Sequence, residues 1–217
     1  MMSRHVQPRA PPGGRFPFRQ TLSCVVLPPG GARGYRRDKV SPSDFLLLAP
    51  MSLAIRPATD ADLPAINAIY NHYVLTSTTT YDLEPLSLEE RQRWFAGRAA
   101  IHPVIVVVDE AAEGKIVGWG SLNVFRSKPG YRFTVENSVY VHPEHHRQGI
   151  GSLVIEHQIQ QAKELGLHAI VAGIGAEQAP SIALHGKHGF VEVARFPEIG
   201  RKFDQWLDVV FMQKLIK

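Results

Sequence analysis

Two glycines, Gly149 and Gly151, stand between a run of strand-forming residues and a helical pattern, and Arg147 precedes them. That junction has the chemistry of an anion site. Glycine lets the backbone approach a ligand closely, the first amides of the following helix lack intrahelical partners, and the positive end of the helix dipole adds to them. Arg147 brings a charge that can pair with the same group. The backbone through Arg147, Gln148, Gly149, Ile150, Gly151 and Ser152 is therefore a candidate for holding phosphate oxygens.

A second group lies just upstream, in TVENSVYV. Glu136 is a poor strand former among β-branched neighbours, so either something other than propensity holds it there or it faces solvent. Burial would raise its pKa toward the range useful for taking a proton, directly or through water. Downstream, SIALHGKHGF puts His185 on a short helical pattern, as a proton carrier or as a satisfied structural histidine. The basic turn FRSKPGY offers Arg126 and Lys128 either to an anion or to solvent. His142, His145, His146 and His188 read as surface residues. They lack a cysteine or carboxylate at recognised ligand spacing, so no metal site is expected.

Composition bounds the rest. The chain has 217 residues, 44% of them apolar, which suits one folded domain and a tail. Its net charge of +4 is unevenly placed. Residues 1–50 hold 8 Arg/Lys and 2 Asp/Glu, a net of +6, so residues 51–217 carry −2. A mildly acidic domain argues against tracking a nucleic-acid backbone. The one cysteine, Cys24, lies in the leading segment, which leaves residues 51–217 without thiol chemistry. No apolar run reaches the roughly 18–20 residues that span a bilayer, so no membrane role is expected and a cytoplasmic setting fits.

The leading segment has 8 prolines and 5 glycines in fifty positions and no periodic apolar face, and is expected to be disordered. It is Arg-rich and poor in acids as transit peptides are, yet its prolines spoil an amphipathic helix. The plainer expectation is an over-extended start, with Met51 as the true initiator, because a well-patterned domain begins there.

From Met51 the pattern is regular. A short strand around Leu53 to Pro57 precedes a helix capped by Thr59 or Asp60, with apolar positions Leu63, Ile66, Ile69, Tyr70 and Tyr73. A polar, Thr-rich loop or broken helix follows, then a helix from Ser87 to Arg98 with Leu88, Trp94 and Phe95. His102 to Val108 and Ile116 to Val124 form a hairpin, and Arg132 to His142 is the third strand of a meander. The helix after the glycine turn, a strand from His168 to Ile174, a helix from Ala179 to His188 and two closing strands complete the order β-α-α-β-β-β-α-β-α-β-β. That order implies one α/β domain with a mixed sheet flanked by helices.

The strand VYV, the turn HRQGIG and the later SIALHGKHGF resemble the GNAT superfamily of N-acetyltransferases, over residues 53–215. The family pattern is Arg/Gln-x-x-Gly-x-Gly/Ala after a central strand, and His146 here takes its first position. NHYVLTSTTTYDLEP, TVENSVYV and the Ser-x-x-x-His from Ser181 to His185 narrow the resemblance to the branch that acetylates phosphinothricin and methionine sulfoximine. The resemblance implies the GNAT fold, a mostly antiparallel mixed sheet of six to seven strands. It also implies acetyl-CoA as cosubstrate, the α-amino group of a small amino-acid analogue as acceptor, and a homodimer.

Under that resemblance Glu136 is the base and His185 stands beside the thioester. The pantetheine arm pairs with the backbone of Val139, Tyr140 and Val141 as an added strand would. Gln178 replaces an Asn that bonds the same arm, and Ser181 belongs to the cosubstrate site. Arg126 and Lys128 meet the acceptor's anionic end, in the reverse of the family's order, and Tyr81 and Tyr131 line its cavity. Two other functions remain open: acetylation of protein N-termini or lysines, and a regulatory module that binds acetyl-CoA without turnover.

Overall fold

Val104 to Val108 is apolar at every position because both of its faces are covered. Val104, Val106 and Val108 pack with Leu63, Ile66, Ile69 and Trp119, whereas Ile105 and Val107 pack with Val117, Ile150 and Val154 on the other side. Each such buried aliphatic contributes about 1.5–3 kcal/mol, so this strand seats helices on both faces of a sheet.

The computed structural model describes residues 52–217. The leading segment, Cys24 and Met51 lie outside the described residues. The elements are β1 (Leu53–Pro57), α1 (Leu63–Thr76), α2 (Leu88–Ala96), β2 (Val104–Asp109), β3 (Lys115–Val124), β4 (Thr134–Val141), α3 (Ile150–Glu164), β5 (Ala169–Gly175), α4 (Ala179–Lys187), β6 (Val191–Lys202) and β7 (Gln205–Leu215). This is the order expected from the sequence. The sheet runs β1-β2-β3-β4-β5-β7-β6, with β4 and β5 parallel and the other pairs antiparallel.

Thr59 opens the first helical segment through a capping box with Asp62. Arg56 donates to both oxygens of Asp62, at 2.7 and 2.8 Å, and this bond holds the Asp62 carboxyl down at about 2. Ser87 and Glu90 form a second capping box at α2. Trp94 and Phe95 of α2 pack against the core. Leu88 is exposed, and Arg91 is buried with its guanidinium 4.5 Å from the Tyr70 ring and 4.8 Å from the Trp94 ring. Aromatic faces give a buried cation an electrostatic partner that an apolar count cannot register.

At the far edge β6 runs longer than the sequence indicates, to Lys202. Two register shifts, between Glu192 and Ala194 and between Phe196 and Gly200, let it pass Pro197. Phe203 and Asp204 turn the chain into β7 with φ of 49° and 58°, a tight hairpin made without glycine.

Candidate active site

β4 and β5 share only three rungs: Thr134 with Ala169, Val135 with Ile170, and Glu136 with Val171. Past Glu136 the strands part. β4 continues to Val141 bonded to β3, and β5 continues to Gly175 bonded to β7. The facing edges therefore hold main-chain groups with no neighbouring strand to satisfy them. A cavity of about 220 Å³ occupies this fork, lined by Asn137 to Tyr140, by Ala172 to Gly175, by Gln178 at the N-cap of α4, and by Ser181 and His185 within that helix.

Glu136 stands at the apex of the fork and also lines a second cavity of about 440 Å³, formed with Tyr81, Leu83, Ile199, Gly200, Arg201, Val209 and Phe211. Tyr81 and Gly173 share both cavities with it. Burial pushes the Glu136 carboxyl above the usual glutamate value. The carboxylate thus stands where two separate ligands could meet.

His185 is buried, and its protons can be placed from its neighbours. Gln158 of α3 donates through Nε2 to the carbonyls of Ser121 and Ser138, at 3.2 and 3.0 Å. Its Oε1 is then left to accept from Asn137 Nδ2 at 3.2 Å. The same Nδ2 faces His185 Nε2 at 3.2 Å, and His185 Nδ1 faces the Ser181 carbonyl at 2.8 Å. A carbonyl only accepts, so Nδ1 carries the proton and Nε2 the lone pair. Burial also lowers the His185 pKa, opposed in part by the Ser181 bond. Asn137 Oδ1, buried on the cavity wall, has no partner in this arrangement.

The glycine turn closes the open end of the motif. Gly149 caps α3 with φ of 83°, and Arg147 also has positive φ, 61°. Ile150 is buried in the core beneath β2 and β3, so it offers the site only its main chain. Gln148 is bonded to His145 and Ser152 to His188, at 3.2 and 3.1 Å. None of the residues from Val141 to Ser152 lines the cavities, and the Val141 carbonyl accepts from the Tyr73 hydroxyl at 2.5 Å.

An open fork between two parallel strands, followed by a helix whose N-terminus presents glycine-flanked amides, suits an extended ligand with a charged phosphate end. Comparison with known proteins agrees with that arrangement: residues 66–190 match the acetyltransferase (GNAT) family. The chain belongs to the GNAT family.

Over 161 residues it is 39% identical to an L-methionine sulfoximine/L-methionine sulfone acetyltransferase of Salmonella typhimurium, covering 74% of this chain and 93% of that protein. A phosphinothricin acetyltransferase of Sinorhizobium meliloti, solved in complex with acetyl-CoA, superposes with a TM-score of 0.73 at 34% identity, covering 76% of this chain and 89% of that one. A ribosomal-protein-alanine N-acetyltransferase of Brucella melitensis superposes with a TM-score of 0.72 at 40% identity, covering 75% and 99%.

Within this GNAT domain the fold gathers Tyr81, Glu136, Val139, Tyr140, Gln178, Ser181 and His185 around the fork. Gln178 Nε2 donates to the Thr78 hydroxyl at 3.1 Å, which ties α4 to the Thr-rich loop. Arg126, Lys128 and Tyr131 are not brought to either cavity wall. The Arg126 guanidinium lies 5.3 Å from the Phe125 ring and 5.9 Å from that of Tyr131, an aromatic contact that keeps the turn folded on itself. The turn does start close by, just beyond the rung pairing Asn123 with Glu136. Arg201, which lies outside the expected site residues, borders the larger cavity and is the Arg or Lys that does so among the described residues, with its guanidinium bonded to Asp204 at 3.1 Å. Its strand position was hidden by the register shifts of β6.

Two histidine expectations change. His188 is not a surface residue: its side chain is 8% exposed and bonded to Ser152. His142, Glu144 and His145 lie with their ligand atoms within 4.8 Å of one another, so a carboxylate does join the histidines. The 3-10 turn Pro143–His145 brings them together, and Lys115 Nζ lies 3.7 Å from Glu144. That cluster lines neither cavity.

Proposed function

We propose that this GNAT protein transfers acetyl from acetyl-CoA to the α-amino group of a small amino-acid analogue of the methionine sulfoximine, methionine sulfone or phosphinothricin type. The observation that carries the proposal is the place of Glu136, on the wall shared by the fork and the larger cavity. The fork fits the pantetheine arm, with Val139 and Tyr140 as its added-strand partners and Gln178 and Ser181 on the opposite side. The main chain from Arg147 to Ser152 fits the pyrophosphate. When bound, the cosubstrate supplies an activated acyl carbon.

Acyl transfer needs a neutral amine and an acceptor for the proton it sheds. Glu136, with its raised pKa, takes that proton directly or through water. His185 lines the same fork, where its Nε2 lone pair accepts from Asn137 and must give up that bond to take a proton. Tyr81 faces the acceptor and Arg201 borders the same cavity with its guanidinium paired to Asp204, while Arg126, Lys128 and Tyr131 supply a basic approach beside the Glu136 rung. The proposal gives the His142 cluster no role.

Acetylation of a protein N-terminus is the second reading, favoured by the 40% identity to the ribosomal-protein-alanine enzyme. The Tyr81 loop, closed against β6, favours a small acceptor instead. Free-thiol release from acetyl-CoA, measured against methionine sulfone, methionine sulfoximine, phosphinothricin and an Ala-initiated peptide, separates the readings. Turnover of the peptide alone would overturn the first.

The proposal includes a homodimer working in the cytoplasm, where acetyl-CoA is made and used. Val191, Val193, Phe196 and Ile199 of the edge strand β6 and Trp206 of neighbouring β7 are 45–62% exposed, an apolar strip suited to a second copy. Among the described residues, no helix is long and apolar enough to cross a membrane. Sedimentation of the purified protein tests the dimer, with a monomer at micromolar concentration as the contrary result.

A further inference from the structure

Lys202 ends β6 with its side chain turned inward. It is 2% exposed, and among the described residues it forms no ion pair. A buried ammonium without a carboxylate is unfavourable unless its hydrogen bonds are well placed. The bond that Lys202 makes is to main chain: Nζ donates to the Thr80 carbonyl at 2.7 Å. Burial holds its ammonium below the ordinary lysine range, partly offset by Asp82.

Thr80 is held from the other side as well. Its hydroxyl meets the Tyr70 hydroxyl of α1 at 2.8 Å, and Tyr70 donates to Asp82 at 2.6 Å. Burial and Asp82 hold the Tyr70 hydroxyl up at about 12, so it stays a donor. Between these two anchored residues sits Tyr81, which lines both cavities. Its ring lies over Gly200, where an added Cβ would stand 2.2 Å from Tyr81 Cε1. The residue two positions before Lys202 is therefore bare for the tyrosine that Lys202 helps to place.

We infer that Lys202 is a positioning residue: its bond to the Thr80 carbonyl pins the Tyr81 loop onto β6 and so shapes the wall against which the acceptor binds. This rests on the proposed acetyl transfer for its kinetic consequence and on geometry alone for the pinning. Lys202 touches neither cavity, so it acts through Tyr81.

The test uses the full chain and four variants: Lys202→Met, Gly200→Ala, Tyr81→Ala and the double variant Lys202→Met/Tyr81→Ala. With methionine sulfone as acceptor, Lys202→Met and Gly200→Ala each raise acceptor KM about tenfold and acetyl-CoA KM by clearly less, because Tyr81 lines both cavities but only the acceptor's is bounded by β6. In the Tyr81→Ala background Lys202→Met adds little, because the element it positions is gone. Amides of residues 77–86 exchange faster in Lys202→Met than in the parent, with the remainder of the sheet unchanged. An unaltered acceptor KM, an equal rise in acetyl-CoA KM, or additive effects with Tyr81→Ala would overturn the inference. If Lys202→Met failed to fold, Gly200→Ala, whose methyl group displaces the Tyr81 ring, would decide the loop's role through amide exchange of residues 77–86, and unchanged exchange there would sink it. If the parent protein acetylated no acceptor, the functional reading would fall, and the exchange of residues 77–86 would decide the pinning.

Discussion

Glu136 faces Val171 across the last rung that β4 and β5 share, and from that rung the two strands separate. A carboxylate at the vertex of the fork is half-buried by the rung behind it and open to both cavities ahead. Replacing it with Gln keeps the shape and removes the base. Glu136→Gln is expected to lower kcat about 100- to 10,000-fold, the usual contribution of a general base. In the parent, activity rises with pH along a limb centred above the ordinary 4.5 of glutamate, and the variant loses that limb. A pH–rate profile from pH 5 to 9 checks both.

The same raised pKa has a stability consequence. A carboxyl whose folded value exceeds its unfolded one favours the fold in its protonated form, so that stability is full below the unfolded value and is lost as pH rises through the folded one. Glu136→Gln should therefore raise Tm at pH 8 and leave it nearly unchanged at pH 4. Melting curves at the two pH values are sufficient, and an equal effect at both would show that burial of the charge is not the cause.

Asn137 joins Gln158 to His185, and its removal leaves an acceptor on each without its donor. Asn137→Ala is expected to cost about 1–3 kcal/mol, the usual penalty for stranded buried polar groups. It also frees the Nε2 lone pair, so the His185 pKa should move up from its depressed position. The sign follows for stability: with a lowered pKa the histidine favours the fold when neutral, above the ordinary 6.5, and that stability is lost as pH falls. Asn137→Ala narrows the loss. Proton NMR of the His185 ring against pH reads the shift, and urea unfolding reads the cost.

Much of this architecture is legible in the sequence. The continuous run at Val104–Val108, the alternation in TVENSVYV and the caps at Thr59 and Ser87 are local signals, and the element order follows from them. What stayed hidden depends on register. That β4 and β5 share three rungs and then part is a property of two strands whose partners lie 35 positions apart, and no spacing within either one states it. Arg201 escaped because two bulges precede it, so strand parity could not say which way it faced. His188 looked like surface because its partner, Ser152, belongs to another helix. Arg91 has no apolar signature, and its aromatic neighbours come from three elements.

Gly149 holds φ of 83° with open space where a Cβ would sit, so Gly149→Ala tests conformation without a clash. A left-handed conformation disfavours alanine by about 1–2 kcal/mol, and the chain relieves it by rotating the first amides of α3. Stability should fall by no more than that amount, while acetyl-CoA KM rises several-fold and acceptor KM holds. Urea unfolding and initial rates with each substrate varied in turn separate the two effects. A loss of stability with no change in acetyl-CoA KM would remove this turn from the donor site.

Arg201 and Arg126 make opposite claims on an anionic acceptor. Arg201 borders the cavity that Glu136 enters, its guanidinium 3.1 Å from Asp204 and free to exchange that exposed partner for an acceptor anion, whereas Arg126 lies against Phe125 and Tyr131 outside the cavity. A direct charge-assisted hydrogen bond is worth about 1.5–3 kcal/mol, or a 10- to 150-fold change in affinity, and a screened charge at the approach much less. Arg201→Ala should therefore raise acceptor KM at least about tenfold at any salt concentration. Arg126→Ala should raise it only about two- to threefold, and less as salt increases. Acceptor KM for both variants at 20 and 500 mM salt distinguishes contact from field. If Arg126→Ala shows the larger, salt-insensitive loss, the basic turn reaches the acceptor after all, and the anion-binding role moves from β6 to the segment between β3 and β4.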